Sequence, residues 1–121
     1  MQQVVRAFPI LSGREPEMVQ FLEELRSERK AETDAFYRRY GVKRETAYLQ
    51  KSDSGAILIV VTDIDEPDKN FAEYGASKAQ FEAWFKARVE SFSGISLDRT
   101  PRGPEAQRLH DWSREGIPLD R

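Results

Sequence analysis

His110 is the sole histidine of the chain, so any imidazole acid–base step would have to run through it. Its neighbour Asp111 cannot form a dyad with it on a strand, because consecutive side chains there point to opposite faces. The other role open to a lone histidine beside Trp112 is that of an edge or interface residue. Arg29 and Glu32 have better spacing: three residues apart on a predicted helix, they can pair. Both fall on the line of Met18, Leu22, Leu25 and Phe36, the apolar seam of that helix. Arg6 shares a face of the first predicted strand with Val4 and Phe8, from which it can approach Glu32. Charges under a helix cost several kcal/mol each in lost hydration before attraction offsets it. One reading is therefore a polar pocket between helices and sheet, lined by Arg6, Arg29 and Glu32, with Tyr48 and Trp84 as aromatic walls and a contribution from the C-terminal His110. The other is that the helix bends or overhangs the sheet, so that the pair reaches solvent. The run Arg26–Asp34, polar on almost every face, favours the second. No residue is assigned a catalytic role.

Other chemistries drop out by residue type. The chain has no cysteine, which removes disulfides, zinc–thiolate sites and thiol nucleophiles. Asp63, Asp65, Glu66 and Asp68 lack the glycine and the spaced bidentate Glu of a calcium loop, so they read as a solvated acidic turn and no metal is expected. No serine sits in a G-x-S-x-G elbow and no cofactor fingerprint is present, so no cofactor is expected. Nineteen Lys and Arg against 21 Asp and Glu give a formal charge of −2, without the basic stripe that phosphate neutralisation requires; nucleic acid is not an expected partner. The opening residues lack a basic and apolar leader, and the longest apolar run, Ala56–Val61, falls far short of the roughly 20 residues of a membrane span. Neither a membrane partner nor a secreted location is expected, and the cytoplasm follows.

The elements that must position these residues fit one domain, residues 1–121. Val4–Ile10 reads as a strand, with Pro9 directing its end towards a sheet edge. Pro16 suits the first turn of a helix that runs to about Tyr40, where Gly41 supplies a left-handed residue. Arg44–Lys51 and Ala56–Thr62 form a hairpin around Ser52-Asp53-Ser54-Gly55. Asp63–Asn70 reads as a loop and Phe71–Tyr74 as a short helical turn. Ser77 to Gln80 has the form of a capping box before a helix carrying Phe81, Trp84, Phe85, Val89 and Phe92, ending near Gly94. Residues 99–121 read as a loop, a C-terminal strand and a tail. The segment Glu105–Trp112 is ambiguous: Ala106, Leu109 and Trp112 share a helical face, but fold completion calls for a strand at Gln107–Trp112. With that strand the order is βαββαβ, an α+β ferredoxin-like fold: a four-stranded antiparallel sheet with two helices on one face.

The strand Ala56–Thr62 does not alternate. Ile57, Ile59 and Val61 lie on one face, Leu58, Val60 and Thr62 on the other. Two helices cover one face only, so the second needs a cover: a second copy packed face to face as a homodimer, or the C-terminal tail folded back.

The pattern resembles an uncharacterised bacterial family of small ferredoxin-like proteins related to the dimeric α+β barrel superfamily, whose members include antibiotic-biosynthesis monooxygenases. The residues that carry it are Arg29-Lys30-Ala31-Glu32, Tyr40-Gly41-Val42-Lys43-Arg44-Glu45, Gly55-Ala56-Ile57-Leu58, Ala76-Ser77, Ser93-Gly94-Ile95 and Asp111-Trp112. The resemblance implies a βαββαβ protomer, a sheet-to-sheet dimer and a cavity between sheet and helices. No reaction signature comes with it, and fold analogy alone assigns no reaction. Three classes of function stand: a small-ligand-binding dimer; a cofactor-independent monooxygenase- or isomerase-like enzyme on small organic substrates, moving protons with His110 or the Glu32–Arg29 pair; and an interaction protein defined by its dimer face.

Overall fold

The computed structural model describes residues 1–116. Its elements run β1 (Gln2–Ile10), α1 (Glu15–Arg26), α2 (Lys30–Arg39), β2 (Val42–Ser52), β3 (Gly55–Ile64), α3 (Pro67–Ala76) and α4 (Gln80–Ser93). Among the described residues the sheet is three-stranded and antiparallel, with β3 between β1 and β2. The protein is thus α+β. The hairpin closes as expected, Ser52 pairing with Gly55. Strand periodicity places Leu58, Val60, Thr62 and Ile64 of the central strand under the helices, all buried, beside Val4, Arg6 and Phe8 of β1.

The single long helix expected from Glu15 to Tyr40 is broken into two. Ser27 carries the break: its hydroxyl donates to the Glu23 carbonyl at 2.7 Å, and its backbone leaves helical geometry. A serine that offers its hydroxyl to the preceding turn competes with the helix ladder, and here the helix stops. Gly41 then takes a positive φ of 71°, and a Cβ there would sit 2.8 Å from the Asn70 amide. Only glycine fits this joint between α2 and β2.

Two further expectations change. The Asp63–Asn70 segment is not a loop: β3 continues to the buried Ile64, and Pro67 at the start of α3 opens a ten-residue helix. Ser77 does not cap α4 through a box with Gln80. It closes the C-terminus of α3, while its hydroxyl accepts from the Ala79 N–H and donates to Glu82.

The expected C-terminal strand at Gln107–Trp112 is absent from the described chain. Instead the turn Thr100–Pro104 delivers a single antiparallel bridge between Glu105 and Arg6, with Ala7 N–H donating to Pro104 and Ala106 N–H to Val5. Carrying that register onward sets Gln107 opposite Val4 and His110 opposite Met1. In that register β1 still offers Val4, Gln3 and Gln2 to Gln107, Arg108 and Leu109, but the segment leaves the edge after Ala106 and forms no ladder. The end of the predicted tail, 117–121, lies outside the described residues. No helix among the described residues is long and apolar enough to cross a membrane.

The core between sheet and helices is aromatic. Phe36 touches Tyr40, Tyr74, Phe81 and Phe85, and Phe21 touches Trp84, Phe85 and Phe92, with centroids 4.9–5.6 Å apart. Such tilted and edge contacts add to the burial itself.

Candidate polar site beneath the helices

The sheet's covered face carries one arginine. Arg6 is 8% exposed; its Nη2 donates to Glu45 Oε1 at 3.1 Å and to Thr62 Oγ1 at 3.4 Å. Register explains the grouping: Arg6 pairs with Val60 while Glu45 pairs with Thr62, so all lie on one face of neighbouring strands. Thr62 donates in turn to Glu45 at 2.8 Å. The guanidinium lies over the rings of Phe8 and Phe71, at 5.5 and 5.2 Å, which offsets part of its lost hydration.

Two tyrosines from the helices complete the cluster. Tyr37 of α2 hydrogen-bonds the Glu45 carboxylate; burial and then that negative charge push its pKa well above the phenol range. Tyr74 of α3 is raised chiefly by burial. The Tyr74 hydroxyl and Arg6 Nε are buried and have no hydrogen-bond partner among the described residues. Both residues line one cavity of about 40 Å³, with Glu45, Thr62 and Phe85. A second cavity, of about 50 Å³, lies among Phe8, Leu58, Val60 and Phe92 and shares Arg6, Tyr37, Glu45 and Phe85 with the first.

The tyrosines give a pH signature. For Tyr37, Tyr40 and Tyr74 the folded pKa lies above the unfolded value of about 10. Above that pH the unfolded chain releases protons that the folded chain retains, so stability falls as pH rises. In a titration followed at 295 nm, these phenolates should emerge cooperatively with loss of helical signal. A smooth, non-cooperative rise with the fold intact would contradict their burial.

Of the residues singled out from the sequence, Arg29, Glu32 and Trp84 meet one another, but away from Arg6, Tyr48 and His110. Arg29 and Glu32 do pair, at 3.2 Å, but on the outer surface, with the Glu32 side chain 54% exposed. Arg29 lies 4.0 Å from the centre of the Trp84 ring, so that tryptophan is a stacking platform on the helical layer. Tyr48, paired with Ile59, sits on the opposite face of the sheet and is exposed. His110 lies exposed on the segment beyond the Glu105 bridge. Only Arg6 stands at the buried site, and its partner is Glu45 rather than Glu32. A period-two reading of Glu45, Ala47 and Leu49 would have found that partner, since these residues share the covered face of β2.

Two other buried charges are joints between helices. Glu82 Oε2 accepts from Arg39, Tyr40 and Ser77, tying α2 to α4. Lys86 Nζ donates to the carbonyls of Tyr74, Gly75 and Ser77 and to Asp98. These carbonyls lie at the end of α3, where a cation is favoured, and the Tyr74 carbonyl also accepts the Ser77 N–H. The acidic residues after β3 disperse: Asp65 pairs with Lys43 and Asp68 with Arg102. No group of three or more His, Asp or Glu among the described residues is placed to hold a metal ion. No protein-family model, curated protein or solved structure matches the chain.

Proposed function

We propose that the chain is a homodimeric, ferredoxin-like protein related to the dimeric α+β barrels, and that it binds a small organic molecule at the Arg6–Glu45–Tyr74 cluster. The binding reading rests on one observation: Arg6 Nε and the Tyr74 hydroxyl are buried donors without partners beside one cavity. Each such group costs about 1–3 kcal/mol, a cost that a ligand acceptor would remove. Charge narrows the ligand. Arg6 is already matched by Glu45, so an anion would be repelled by the carboxylate, whereas a neutral carbonyl oxygen can accept from both donors. Size narrows it further, since the cavities hold only a few atoms unless Phe85, common to both linings, turns aside.

The sheet order supports the ferredoxin-like reading. With β3 central, the outer edge of β1 is where a fourth strand would lie, and Glu105 bridges to that edge. The uncovered face of β3, with Ile57, Ile59 and Val61 beside Tyr48, supports the dimer.

A second reading, enzyme rather than binder, is favoured by the carboxylate among the donors. Glu45 would take a proton from carbon next to a bound carbonyl. The C–H electron pair would shift to the carbonyl oxygen, held by Arg6 Nε–H and Tyr74 O–H, and the proton would return to carbon.

Titration with cyclopentanone and acetone, followed through the Arg6 ¹⁵Nε–H resonance, tests the first reading; a saturable shift is expected. In D₂O the second reading expects faster exchange of the ketone α-hydrogens, lost in Glu45→Gln. A shift without exchange leaves a binder, and neither at millimolar ketone removes the proposal.

A further inference from the structure

Beyond its bridge to β1 the chain carries two large apolar side chains into solvent: Leu109 is 86% exposed and Trp112 is 75% exposed. The uncovered sheet face, with Tyr48 and Ile57 exposed, belongs to the same molecule. From Ala106 to Gly116 an eleven-residue arm extends up to about 36 Å, and the three strands span only about 10 Å centre to centre. The arm is long enough to cross its own sheet, yet in the single chain both apolar side chains remain in solvent.

Area points to what covers them. Strands of nine to eleven residues, three abreast, present a face of about 400–500 Å². A stable interface takes about 800 Å² from each partner. A face-to-face pairing of sheets alone falls short, and a buried tryptophan adds about 150–250 Å². The near-neutral chain, at −2, sets up little repulsion between copies.

We infer that the arm is an exchange element: in the dimer, the Ala106–Gly116 segment of each copy crosses to the other and seats Leu109 and Trp112 against its uncovered sheet face. This rests on the dimer reading above and adds which segment completes the interface.

Sedimentation velocity from 1 to 100 µM should show a dimer for the natural chain. Ile59→Lys should be monomeric, and Leu109→Ser/Trp112→Ser should dimerise about 100-fold more weakly or worse. A double variant that dimerises as tightly as the natural chain overturns the exchange but leaves the dimer. A natural chain that stays monomeric overturns both. Because the chain has no cysteine, the crossing can be seen directly. A size-tagged copy carrying Ile59→Cys is mixed with an untagged copy carrying Arg114→Cys, which keeps both apolar anchors, and treated with a short bismaleimide. A product of mixed size is expected, and products of equal size alone overturn the exchange.

Discussion

Replacing Arg6 with Met should remove about 3–5 kcal/mol of stability, and adding Glu45→Leu to the same chain should restore much of that loss. The reasoning starts from the buried pair, which joins Arg6 Nη2 to Glu45 Oε1 at 3.1 Å under the helical layer. Removing one partner leaves a carboxylate in a site that water does not reach freely, and that is the costly step. Removing both leaves no charge to hydrate, and the surrounding rings of Phe8 and Phe71 accept apolar side chains. Recovery should stop about 1–2 kcal/mol short, because Thr62 and Tyr37 lose the acceptor they share. Urea unfolding of the two single variants and the double variant measures the coupling, provided the slope is unchanged. The functional weight of this cycle lies in the double variant. A chain that regains stability but no longer binds ketone, followed in this variant through broadening of the ketone's own proton lines, would mean that the pair is retained for binding, since packing alone can replace it. A double variant no more stable than Arg6→Met would make the pair a structural requirement and weaken the proposed site.

Lys86→Met should be as severe, at about 3–5 kcal/mol, with a melting temperature lower by about 10–20 °C. Lys86 Nζ is the shared donor for three carbonyls at the end of α3 and for Asp98. Without it the Gly75 and Ser77 carbonyls lose this donor, Tyr74 keeps only the Ser77 N–H, and α3 loses its hold on α4. Asp98→Asn isolates the ion pair from the rest. The Asp98 side chain is about half exposed, so water screens the charge and the loss should stay below about 1 kcal/mol. Thermal melts of both variants decide the matter. Equal losses would mean that the carboxylate, rather than the carbonyl cage, holds the lysine. A loss under about 1 kcal/mol in Lys86→Met would mean that the helix end finds other donors.

Much of the frame was legible because it depends on local pattern. The β2–β3 hairpin follows from a turn of Ser, Asp and Gly between two strand-forming runs, and the aromatic helix from the spacing of Phe81, Trp84, Phe85 and Phe92. Gly41 and Gly94 mark helix ends by the backbone geometry that glycine permits. The break at Ser27 was less legible, since the apolar line runs through it from Leu25 to Phe36. Only the polar run around it hinted that the line was not continuous. Arg29 and Glu32 were placed on the seam by that false continuity. Once the helix breaks, they turn outward.

Sequence alone determined that Arg6 shares a face with Val4 and Phe8, because a strand has a period of two; that the helices cover this face was decided by the tertiary structure. It determined equally that β3 has no polar face. Tertiary structure decided which carboxylate meets Arg6, because pairing across β3 brings in Glu45 from 39 residues away, beyond any local period. It also decided the fate of the C-terminal segment. Pairing on the edge of β1 stops at Ala106 although Val4, Gln3 and Gln2 remain in register for the next residues, so local pattern did not decide where this segment leaves the sheet.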